Sequence, residues 1–147
     1  MGLLGILILL LLVAWGLLWL WPADREAFHV DPADQTLTRR TEVRLLGQDA
    51  PRFKTDAETL MAGLLEVMRS EPRSRLLDGG PDEGVMTFVS RSVLGFRDYT
   101  SFKAVDEVQG AKLSILARPR INGYDWGVNA ARVDRIILAL EQRFGRP

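Results

Sequence analysis

The sequence predicts an α+β protein: an N-terminal transmembrane helix, then a small antiparallel sheet of about four to five strands with two helices packed on one face. Three observations lead there. The 19 basic and 19 acidic residues all lie at or beyond Asp24, so the opening stretch is entirely uncharged. Two later stretches, one behind Thr55 and one ending near Phe144, repeat their apolar residues at helical spacing. Short runs around them alternate apolar and polar residues as half-buried strands do.

Gly2–Trp21 is leucine-rich and is followed by Pro22. About twenty helical residues cover about 30 Å, the hydrocarbon thickness of a bilayer. Trp19 and Trp21 suit the headgroup level, and Pro22 ends the helix. This predicts a single-pass anchor over 1–22 rather than a cleaved signal peptide, because no basic n-region precedes it. Arg25, Arg39 and Arg40 bias the following domain toward the cytoplasm, whereas a very short leading tail favours export. The expected location is the bacterial inner membrane with the globular domain in the periplasm.

Residues 23–41 read as a juxtamembrane tether, polar and proline-containing, with Phe28-His29-Val30-Asp31-Pro32 as its one structured patch. His29 is the sole histidine, and Asp31 alone does not complete a metal site, so it reads as a packing residue. The globular domain is expected over 42–147. Glu42–Leu46 is a short strand. Thr55 and Glu58 have capping-box spacing before a helix carrying Leu60, Met61, Leu64, Val67 and Met68, and its methionines read as core. Ser74–Leu77, Val85–Arg91, Tyr99–Val105 and Lys112–Arg118 follow as strands. A last helix runs from about Val128 to Phe144, with Asn129 as its expected cap. The order β-α-β-β-β-β-α calls for antiparallel pairing.

Arg118–Arg132 concentrates cations, glycines, aromatics and one carboxylate in a single loop, the kind of segment that solves a hard turn or forms a site. Arg91 precedes Asp98, and Arg118 precedes Asp125, at the same spacing with a glycine–aromatic pair between. A chain reversal would pair each arginine with its aspartate, as a structural staple. The rival reading is an anion site formed by Arg118, Arg120, Arg132 and Asn129 beside the last helix, taking a small molecule or a lipid headgroup. With Gly127, these residues are the candidate binding or structural loop.

No catalytic residue is assigned. The chain has no cysteine, hence no disulfide, thiol nucleophile or thiolate metal site. It also has no Gly-x-Ser-x-Gly elbow, His-Glu-x-x-His or P-loop. No metal and no cofactor is implied, and a net charge of zero gives no argument for nucleic acid. A hydrolase using Asp98 and Asp125 is the remaining enzymatic alternative.

Arg91-Ser92, Gly95-Phe96, Asp98 and above all Asp125-Trp126-Gly127-Val128-Asn129-Ala130-Ala131-Arg132-Val133 resemble the family known as domain of unknown function 1499, in its single-span proteobacterial form. Phe28-His29-Val30-Asp31-Pro32 behind an apolar stretch is similar too. Ala117 and Pro119 stand where that family has serines, and Asn122 stands at its glycine, with Gly123 one place later. The resemblance implies no activity. The expected function is a membrane-anchored, non-catalytic accessory domain associating with a membrane protein complex or envelope component.

Overall fold

The computed structural model describes residues 2–22, 25–34, 42–93, 95–120 and 125–147, except for the side chains of Leu18 and Trp19. Arg39 and Arg40 of the expected tether, the turn residues Asn122 and Gly123, and the interfacial placing of Trp19 lie outside what is described.

The opening stretch forms α1 (Leu3–Leu20), an 18-residue helix that starts after an extended Gly2 and ends at Trp21, ahead of Pro22. Eighteen residues rise about 27 Å, short of the roughly 30 Å that the apolar count of twenty suggested. Among the described residues no helix is long and apolar enough to cross a membrane. This overturns the expected transmembrane anchor, and with it the membrane as a partner and the single-pass inner-membrane location. The sequence reading counted Gly2 and Trp21 as helical, and both are caps.

The sheet is antiparallel throughout and has six strands, more than expected. β3 (Ser74–Gly79), β4 (Val85–Arg91), β5 (Arg97–Glu107) and β6 (Gly110–Pro119) form a meander. β1 (Val43–Leu45) and β2 (Arg52–Phe53) pair in turn along the outer edge of β6. β5 and β6 run beyond their apolar cores because Val108-Gln109 closes them into a tight hairpin. Gly110 makes this possible: its φ is 135°, and a Cβ there would lie 2.0 Å from the Phe53 carbonyl oxygen.

α3 (Ala57–Ser70) and α4 (Val128–Phe144) bury their apolar stripes on one sheet face. Leu60, Leu64 and Met68 meet Phe88, Phe102 and Ile115 of the strands, and Val133, Ile136 and Leu140 of α4 complete the layer. Gly63, a poor residue inside a helix, lies where α3 meets Phe144; a Cβ there would come within 2.5 Å of that ring. The expected Thr55 cap is displaced by one residue. Asp56 accepts from the Thr59 amide at 2.8 Å, while Ala57 N–H donates to Asp106 Oδ1 at 2.6 Å, tying the helix start to β5.

Strand alternation sends Tyr99, Ser101 and Lys103 of β5, Thr87, Val89 and Arg91 of β4, and Leu116 and Arg118 of β6 to the opposite face. That face is covered by α2 (Arg25–Phe28) and the turn that follows it. Phe28 stacks on Tyr99 with ring centroids 3.7 Å apart and an interplanar angle of 12°. His29 Nδ1 lies 3.0 Å from Thr87 Oγ1, and Asp31 pairs with Lys103. Residues 28–31 are thus a strap packed on the sheet rather than a simple tether.

Candidate functional site

The predicted site residues fall on two faces of one sheet. Arg91 lies opposite Arg97, and Asp98 lies opposite Ser90 on β4 and opposite Pro119 on β6. Successive residues of a strand point to opposite faces, so Arg91 and Arg118 face the strap while Asp98 faces the helices. The arginine–aspartate pairing suggested by the repeated spacing is therefore replaced. Asp98 pairs with Arg132 of α4, with Oδ2 3.5 Å from Nη1. Asp125 turns its carboxylate to the backbone, where Oδ1 accepts from Gly127 N–H and Oδ2 from Asn129 N–H, each at 3.1 Å.

The cap of α4 is consequently supplied by Asp125, and not by the expected Asn129. Gly127 sits at the N-cap with φ 76°, a left-handed position that suits glycine, and Trp126 before it is also left-handed at φ 56°. Asn129 lies inside the first turn and is fully buried; its Oδ1 accepts from Arg132 Nη1 at 2.8 Å. Asp98, Asn129 and Arg132 thus form a polar cluster between sheet and helix, with Asp98 6% and Arg132 5% exposed. Burial raises the Asp98 pKa above its ordinary 3.8 and outweighs the attraction of Arg132; the nearby Asn129 amide also favours the charged form, and Asp125 adds repulsion. Among the described residues Asn129 Nδ2 and Thr100 Oγ1 have no hydrogen-bond partner.

On the strap face the arginines hold backbone oxygens. Arg97 Nη1 donates to the Trp21 carbonyl. Arg120 donates to the carbonyls of Trp21 and Pro22, each at 3.2 Å. Arg118 Nη2 donates to Phe28 O at 3.1 Å, and its guanidinium lies 5.4 Å from the Phe28 ring centroid. Arg97 and Arg120 thus place cations at the carbonyl end of α1, holding the chain at its C-cap and the residue beyond.

Sequence reasoning missed Arg97, Arg75 and Tyr99. Arg75 lies opposite Val89, and Arg97 and Tyr99 occupy alternate positions of β5, all on the strap face. The detectable signal was the alternation Arg97, Tyr99, Ser101, Lys103, a polar and aromatic stripe on a strand whose other face carries Asp98, Thr100, Phe102 and Ala104. Among the described residues no group of three or more His, Asp or Glu side chains is arranged to hold a metal ion. Comparisons with family models, with curated proteins and with solved structures give no match for this chain, so the site stands on its own geometry.

Proposed function

We propose that this chain is a non-catalytic interaction domain whose contact element is α1. The observation that carries the reading is the exposure of that helix: its apolar side chains lie open along its length, from Leu3 at 81% to Leu20 at 78%. Contiguous apolar surface on this scale marks an interaction site. Leucine extends all round α1, so the partner is a protein surface that encloses the helix or packs with it on several sides.

The two carboxylates of the hydrolase alternative have structural work. Asp125 gives both oxygens to the α4 cap, and Asp98 is paired with Arg132 away from solvent. The 118–132 loop is a weak single anion site, because Arg118 and Arg120 face the strap while Arg132 faces the helices. Membership of the domain of unknown function 1499 family belongs to the same proposal, resting on the run from Asp125 to Val133.

The test is copurification of the full chain in mild detergent. A stoichiometric partner protein is expected with the parent and is lost with Leu7→Gln plus Leu11→Gln, which lie one turn apart on α1. Recovery of the same partner with the double variant, or a parent that stays monomeric with none, overturns the proposal.

A further inference from the structure

We propose that β3 is the contact edge of a homodimer, in which two copies of this chain pair antiparallel through Ser74–Gly79 into one continuous sheet. Among the described strands β3 ends the sheet and has a neighbour only on its β4 side. The backbone of 75–78 makes, among the described residues, no backbone hydrogen bond outside that ladder. An edge strand presents its outward N–H and C=O groups as a template for another strand.

The occupant is identified by charge and register. Arg75 lies opposite Val89 and Leu76 opposite Phe88, but the register then shifts and Asp78 lies opposite Thr87. Val89 and Thr87 share the strap face, so this irregularity brings Arg75 and Asp78 to one face, although residues three apart in a regular strand point to opposite ones. Leu77 and Asp78 then count as a single position of the ladder. A two-fold axis through Leu76 sets Arg75 of each copy opposite Asp78 of the other, so one joint holds two opposite-charge pairs. Leu76, 37% exposed, meets its own counterpart on the helix face, and Ser74 meets Gly79 with no bulky side chain between.

Both charges are available for this. Arg75 is exposed and Asp78 half-buried, and among the described residues neither stands in an ion pair. Bulges and charges often blunt an edge, but here the two signs are self-complementary. Moving the axis to Arg75 or to Asp78 would set like charges face to face, which fixes the register about Leu76. Six residues a side is well below the roughly 20–30 of a standard interface, so the dimer is reversible and forms at high concentration.

This edge is independent of α1 as a contact element. Sedimentation equilibrium is run on the full chain in mild detergent, with the parent and with Leu7→Gln plus Leu11→Gln, and a concentration-dependent dimer is expected for both. Arg75→Asp and Asp78→Arg each turn both facing pairs into like charges and are expected to raise the dissociation constant at least about tenfold. An equimolar mixture of these two variants restores a one-to-one dimer, because every facing pair is again opposite in sign, and so also shows that both fold. A parent that is monomeric at millimolar concentration, a dimer lost with the α1 variant, a dimer retained by either single variant alone, or a mixture that stays monomeric overturns the inference.

Discussion

At the residue scale the informative feature is how Asp98 and Arg132 depend on each other. Both are buried, and removing one partner of a buried pair leaves an uncompensated charge. Asp98→Asn is expected to cost about 3–5 kcal/mol in urea unfolding, and Asp98→Leu combined with Arg132→Met to recover most of it. The same carboxyl gives a pH signature. Folding raises its pKa, so its contribution to stability is complete below the unfolded value near 3.8 and is lost as pH rises through the folded value. Glu107 behaves in the opposite sense. Hydrogen bonds from Lys112 and Arg52 lower its pKa from 4.5, so its contribution is present above that value and is lost as pH falls through the folded one. An NMR titration of side-chain carboxyl carbons is expected to place Asp98 above 3.8 and Glu107 below 4.5.

At the scale of elements, helix starts are set by neighbours rather than by the nearest suitable residue. Asp125 satisfies two amides of α4, and Asp125→Ala is expected to cost about 1–2 kcal/mol in thermal or urea unfolding. The β5–β6 hairpin depends on Gly110. Gly110→Ala places a methyl group against the Phe53 carbonyl at a left-handed backbone position, and a loss of at least about 1–3 kcal/mol is expected. The strap depends on Phe28. Truncating it to alanine removes the stack on Tyr99 and the surface under Arg118, and limited proteolysis is expected to shift toward residues 25–34 while the sheet amides stay protected from exchange.

For the whole molecule, the design is a sheet with a large apolar core on one face and a smaller, mixed polar and apolar layer on the other. The helices close the apolar face with a conventional core. The other face takes the strap, held by the Asp31–Lys103 ion pair, carbonyl contacts and the packing of Phe28 on a small cluster of Leu77, Val89 and Tyr99. Shortening the chain to begin at Trp21 is therefore expected to leave near-ultraviolet circular dichroism of the body intact, because the side chains of α1 are exposed and contribute little to its packing.

The sequence by itself determined the α+β class, the stripes of α3 and α4, the bounds of β4 and the length of the apolar opening, because these follow from local periodicity. It did not determine the partners of the chemistry-bearing side chains. Arg91 and Asp98 looked like a pair in one dimension, yet strand register sent them to opposite faces and gave Asp98 to Arg132. Thr55 and Asn129 looked like caps, yet Asp56 and Asp125 accept from the open amides, and Asp106 of β5 takes one more. Tertiary structure alone decided which face each arginine occupies, and that α1 stops two residues short of the apolar count, because a strand reverses its side-chain direction at every residue and a cap is fixed by backbone geometry that composition does not record.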